Sequence, residues 1–163
     1  MYQEDLAIRF NGYRVLKRFV FRMYICVKPK SRSQPLCLQA KELAKQENKP
    51  IVALVHKTWC GACKQLKKDF QSGGAGVDRV VKASASYIMV NLEDDEGEGI
   101  SDLKPEGAGY IPRVVFFTPD GTARPDIKSK ANPNYAYFYP NADSLGQVME
   151  SSLSMLKSSA SEL

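Results

Sequence analysis

Two cysteines two residues apart, Cys60 and Cys63 in the stretch 56-HKTWCGACK-64, are the residues here whose types and spacing suit chemistry. Such a pair has three uses: a redox couple, half of a metal site, or two buried thiols that happen to be close. Structural zinc asks for four ligands and the pair supplies two. His56 is the only histidine, and there is no second closely spaced cysteine pair. Two inert thiols would be an odd use of Trp-Cys-Gly-Ala-Cys. The redox reading is the strongest of the three, because a thiolate attacks disulfides and a second thiol within reach resolves the mixed disulfide that results. Of the other cysteines, Cys26 lies in the N-terminal segment and Cys37 in the first helical pattern. Neither has a partner at short spacing, and Cys37 reads as a small buried hydrophobe.

The pair matters only if the chain positions it. From Leu36 the spacing of Leu36, Ala40, Leu43 and Ala44 predicts one face of a helix, ended by Asn48 and Pro50. The run 51-IVALV-55 is continuous, apolar and rich in β-branched residues, as a strand covered on both faces requires. From Cys60 a second helical face follows in Cys63, Leu66 and Phe70, broken by 73-GGAG-76. A short helix from Val77 to about Ala83 leads into a strand at 87-YIMVNL-92. The acidic stretch 93-EDDEGEGISD-102 lacks the ligand spacing of a calcium loop and reads as a solvated loop. A strand 113-RVVFF-117 follows Pro112, the turn 118-TPDG-121 comes next, and a short strand near Arg124–Ile127 is expected to complete a hairpin. Ser144 and Gln147 form a capping box for a last helix whose buried stripe is Leu145, Val148, Met149, Leu153 and Leu156. The predicted class is α/β: a central mixed sheet flanked by helices on both faces.

Cys60 therefore falls where the first core strand turns into a helix. Unpaired N–H groups and the positive end of the helix dipole stabilise a thiolate there. Cys63 lies one turn deeper on the same face. Gly61 and Ala62 are small and should leave the first sulfur accessible, with Trp59 as an apolar platform beside it.

Composition removes other classes. The net charge of +5 is concentrated in residues 1–34, where eight Lys and Arg face two acids; that segment is +6 and the rest of the chain is −1. A nucleic-acid footprint should lie on a folded face instead. No apolar run approaches the roughly 20 residues of a membrane span. Residues 1–34 read as a basic leader and linker, and 35–163 as the folded domain. The leader has the basic flank of a signal peptide, but Arg22 interrupts its apolar stretch 19-FVFRMYICV-27 and its cleavage site is poor.

WCGAC, the later YIPR and the strand–helix–strand context resemble the thioredoxin superfamily. The stretches 49-KPIVALVHKTWCGACK-64, 89-MVNLEDDE-96, 109-GYIPRVVFFTPDG-121 and 132-NPNYAYFY-139 resemble more narrowly the small endoplasmic reticulum oxidoreductases that include the anterior gradient family. The resemblance implies a thioredoxin fold and a luminal protein-disulfide reductase, monomeric or weakly dimeric. It would exchange disulfides with cysteine-bearing client proteins, with glutathione as co-substrate, no bound cofactor or metal, no nucleic acid and no stable membrane insertion. It implies Cys60 as the attacking and Cys63 as the resolving cysteine, joined in a disulfide when oxidised. Ile111 would pair with client backbone beside a cis Pro112, and Trp59, Gly61 and Ala62 would line the substrate surface.

Leu54 stands six residues before Cys60, where thioredoxins carry a buried acid, so the proton acceptor for Cys63 is unidentified. His56 is either a half-exposed polar residue or a group that tunes the thiolate. The last four residues, 160-ASEL-163, match retention tetrapeptides only in Glu-Leu. They read as a weak retrieval signal; without a working leader the domain would be cytosolic. The rival to an enzyme is a holding adaptor that captures partners as mixed disulfides without turnover, for which Cys63 would be unnecessary.

Overall fold

The computed structural model describes residues 36–158. The readings for the leader, for Cys26 and for the last four residues fall outside them. The order is α1 (Leu36–Glu47), β1 (Ile51–His56), α2 (Gly61–Ser72), α3 (Ala75–Ser84), β2 (Ile88–Glu93), β3 (Arg113–Phe117) and α4 (Ala142–Ser158). Two short 3-10 turns, Ser101–Leu103 and Pro105–Gly107, lie between β2 and β3. The strands form one mixed sheet in the order β2-β1-β3, with β1 parallel to β2 and antiparallel to β3.

The central place of β1 explains its unbroken apolar run. Its odd positions Ile51, Ala53 and Val55 pack with Ala40 and Ala44 of α1, with Ile88, Val90 and Leu92 of β2, and with Val115 and Phe117 of β3. Val52 faces the other way with Met89, Val114 and Phe116, under Leu66 and Phe70 of α2, Val80 of α3, and Leu145 and Met149 of α4. Both faces are therefore covered, and a strand of alternating polarity would have buried polar side chains on one of them. Asn48 ends α1 in the left-handed region at φ 49°, and Lys49 N–H returns to Ala44 C=O at 2.9 Å. Gly76 is required by a close approach: a Cβ there would sit 2.8 Å from Asp143 Cβ, where α3 meets the start of α4.

Three expectations need correction. No strand forms at Arg124–Ile127; after the turn there is one isolated bridge, Phe117 to Ala123, and Arg124 N–H donates to Phe116 C=O at 2.8 Å. Pro125 follows and has no N–H to extend the ladder. The cap of α4 is Asn141, whose Oδ1 accepts from Ser144 N–H at 2.8 Å, while Gln147 donates to Asp143 at 2.7 Å. Asp69 of α2 adds a second acceptor, for Ala142 N–H at 2.7 Å, tying the two helices together. Helix α3 begins at Ala75, two residues before the predicted start, directly after Gly73 (φ 75°) and Gly74 (φ 104°).

Candidate active site

The first core strand ends at His56, and the chain turns through Lys57 to Trp59 before α2. Cys60 is the N-cap of α2, extended at φ −76° and ψ 125°. Its Sγ accepts the Cys63 backbone N–H at 3.2 Å, taking one of the donors that a helix start leaves unpaired. A sulfur in this position is held where negative charge is favoured. From across the site, Ile111 C=O lies 3.9 Å from Cys60 Sγ, within reach of the thiol as donor. The Ile111–Pro112 peptide is cis, and Pro112 is buried. Two segments 51 residues apart in sequence thus meet at one sulfur.

Both cysteines are free thiols, and both are nearly covered: Cys60 is 7% and Cys63 6% exposed. The small Gly61 and Ala62 are themselves exposed, with open space around Gly61, but they do not leave Cys60 open as a residue. Trp59 is 71% exposed, a large apolar surface next to the thiol in sequence. Burial, and next the hydrogen bond with Cys60, push the Cys63 thiol up to about 12. Burial thus favours the protonated form of Cys63, and its backbone N–H is given to Cys60 Sγ.

Sequence reasoning missed three residues. Asp94, at φ 53° just past β2, accepts from Thr58 N–H at 2.9 Å and from Thr58 Oγ1 at 3.1 Å, and so fixes the turn that delivers Cys60. The Thr58 backbone bond is the main cause that holds Asp94 below the ordinary carboxylate range. Beside it Lys57 bridges Asp95 at 3.3 Å and Glu98 at 2.9 Å. The acidic stretch is thus a clamp on the cysteine turn, and nothing in its sequence separates Asp94 from its acidic neighbours. His56 is half-buried at the strand end, and its C=O accepts Asp94 N–H at 3.0 Å.

Arg113, the residue after Pro112, is 3% exposed. Its Nε donates to Leu103 C=O at 2.5 Å and its Nη1 to Tyr110 C=O at 2.9 Å. Burial lowers its pKa. This guanidinium holds the chain that leads into Ile111 and Pro112. Tyr110 continues the brace: its hydroxyl accepts Tyr137 N–H at 2.8 Å, and its ring meets Tyr135 edge-on at 4.9 Å.

The third is Asn91. Strand alternation puts Met89 and Asn91 on the face that α2 covers, and Asn91 is in register with Leu54. Among the described residues, Asn91 Oδ1 and the Tyr139 hydroxyl are buried side-chain atoms with no hydrogen-bond partner in the protein. Such an orphan costs about 1–3 kcal/mol. Among the described residues there is also no group of three or more His, Cys, Asp or Glu placed to hold a metal ion.

A buried thiol pair at the head of a helix, facing a cis-proline segment, can perform disulfide exchange: attack by one sulfur and resolution by the other. A family model described as thioredoxin-like matches residues 37–119, just over half of the chain. The chain belongs to that family, and its mixed sheet with helices on both faces is a thioredoxin fold. It is similar to anterior gradient protein 3 of Xenopus tropicalis, 34% identical over 95 residues that cover 58% of this chain and 54% of that protein. Mouse anterior gradient protein 3 is 30% identical over 71% of this chain and 67% of its own length. Anterior gradient protein 2 of Xenopus tropicalis is 31% identical over 70% and 66%. The chain thus spans between about half and two thirds of these relatives. A solved structure titled as a disulphide isomerase from Xylella fastidiosa aligns with TM-score 0.43 at 20% identity, covering 59% of this chain and 76% of that one.

Proposed function

We propose that this chain is a thiol–disulfide oxidoreductase acting on cysteine-bearing client proteins through Cys60 and Cys63. The observation that carries this reading is the geometry of the pair: Cys60 Sγ takes the Cys63 N–H at the head of α2 and lies 3.9 Å from Ile111 C=O across the site. Cys60 thiolate attacks a client disulfide, forming the Cys60–client bond and expelling the client's other sulfur as thiolate. Cys63 then gives up its proton and attacks Cys60 Sγ. The Cys60–Cys63 disulfide forms, the second client sulfur leaves as thiolate, and the client is reduced by two electrons. Glutathione is the co-substrate that returns the pair to the dithiol. Ile111 offers its backbone to extended client chain, and exposed Trp59 offers apolar contact beside the sulfur. Similarity to the anterior gradient proteins supports a luminal setting, where client disulfides exist. Among the described residues no helix is long and apolar enough to cross a membrane.

The test is trapping. Cys63→Ser should accumulate client mixed disulfides on Cys60, visible on non-reducing gels and lost with thiol reductant, and Cys60→Ser should accumulate none. Equal trapping by both variants would reverse or erase the assigned roles. Trapping by the unmodified chain equal to that of Cys63→Ser would favour the holding adaptor.

A further inference from the structure

The resolving step has an unsolved requirement. Cys63 is buried and must lose a proton before it attacks. The strand position that carries an acid in thioredoxins is Leu54, half-buried and packed against the core under α2. The neighbour of Leu54 in register on β2 is Asn91. Both are third from the end of their strands, at the edge where α2 begins and runs back over the sheet. Helix α2, whose first turn contains Cys63, covers this face of the sheet through Leu66 and Phe70. The one polar side chain in the row presents a buried, unpartnered acceptor, Asn91 Oδ1, to the same layer.

We infer that Asn91 is a positioning residue for proton transfer in the resolving step: its Oδ1 holds a water beneath Cys63 that takes the thiol proton and passes it outward. This rests on the oxidoreductase reading above. The amide is neutral and is not itself the base; it fixes the oxygen of a water that relays the proton. The balance is complete without another reagent. Cys63 S–H donates its proton to the relay, the Cys63–Cys60 bond forms, the Cys60–client bond breaks, and the departing client thiolate takes up a proton at the surface.

Other titratable groups face this layer. Cys60 comes from the head of α2. His56 and Glu93 lie on the same sheet face at the ends of β1 and β2, paired in register. Tyr139 comes from the segment before α4. Arg113 alternates to the opposite face with Val115 and Phe117. Glu93 is exposed and His56 half-buried, so either would give the proton a route independent of Asn91.

The experiment uses the full chain with Cys26→Ser and Cys37→Ser, and an aromatic disulfide whose thiolate is coloured. A first phase of colour reports attack by Cys60, and a second reports resolution by Cys63. In Asn91→Leu the second phase should slow by about tenfold or more, within the span of general acid–base effects, while the first changes less than about twofold. Asn91→Asp should keep a fast second phase and move its pH dependence, because a titrating carboxylate then stands in the layer. A second phase of ordinary rate in Asn91→Leu would overturn the inference. If the Leu variant fails to fold, the Asp variant decides: an unmoved pH profile overturns the inference and a moved one supports it. The oxidoreductase reading fails separately, by the absence of any first phase attributable to Cys60 in the chain with Asn91 intact.

Discussion

The two segments that meet at Cys60 are held by opposite means. The turn before Cys60 is gripped from outside by an ionised loop, with Asp94 on Thr58 and Lys57 between Asp95 and Glu98, whose side chains are 87% and 63% exposed. The segment before Pro112 is gripped from inside by Arg113, which donates to the backbone carbonyls of Leu103 and Tyr110. Exposed ion pairs lose much of their attraction to water and salt. A buried guanidinium is costly to desolvate and persists only when its donors are well used. The attacking side of the site is therefore adjustable by solution conditions, and the receiving side is a fixed part of the fold.

The largest expected effect tests the inner grip. Arg113→Met leaves the carbonyls of Leu103 and Tyr110 without their donor, which should cost about 2–4 kcal/mol of stability, from the loss of charged hydrogen bonds and the stranding of their acceptors. Arg113→Lys keeps the charge but cannot reproduce the fork, so it should fall between Met and the unmodified chain. Thermal or urea unfolding checks the order. If Arg113→Met is no more destabilising than Asp94→Ala, the contrast between the two grips is wrong.

A smaller effect, with a distinctive pH signature, tests the outer one. The folded-state pKa of Asp94 is depressed, mainly by the Thr58 backbone bond. Its contribution is therefore present above the ordinary carboxylate value of 3.8 and lost as pH falls through the lowered folded value. The deficit of Asp94→Ala should be constant through neutral pH and close only in acid. The deficit of Arg113→Met should be level over the neutral range, since a guanidinium does not titrate there. Unfolding midpoints at several pH values would separate the two. A deficit for Asp94→Ala that grows toward acid would contradict the assigned bond.

How much of this was legible depends on whether the cause is local. Strand β3 matches its reading to the residue, because Pro112 and the turn at 118–121 punctuate it. Cys60, Cys63, Ile111 and Pro112 were legible as motifs, and the structure brings Cys60 and Ile111 together. The end of the hairpin was misread because the turn at 118–121 implied a returning strand, whereas the return stops at one bridge before Pro125, which has no N–H to extend it. The start of α4 was misread because Ser144 and Asn141 are both good caps, and only the backbone geometry chooses between them. Asp94, Arg113 and Asn91 were illegible for a shared reason. Each looks ordinary in its neighbourhood, an acid among acids, a charge opening a strand, an amide within one. Their neighbours are remote in sequence: Thr58 for Asp94, Leu103 for Arg113, and Leu54, in register across the sheet, for Asn91.

The smallest expected effect sharpens the outer grip by dividing it. Lys57 reaches two acids, and the bond to Glu98 is the largest cause raising its pKa. A raised cation contributes stability that is present below its ordinary pKa and lost as pH rises through the folded value, so this pair is intact at neutral pH and fails only above 10.5. Glu98 is also the shorter and less exposed partner, at 2.9 Å and 63% against 3.3 Å and 87% for Asp95. A double-mutant cycle between Lys57→Met and Glu98→Gln should therefore give the larger coupling, and one with Asp95→Asn the smaller. Both should shrink toward zero near 1 M salt, where the screening length is about 3 Å. The rate of Cys60 alkylation should follow, changing with salt in the unmodified chain more than in Lys57→Met, because the clamp sits on the turn that carries the sulfur. Coupling that survives high salt would mean that Lys57 is held by packing rather than by charge, and the outer grip would then resemble the inner one.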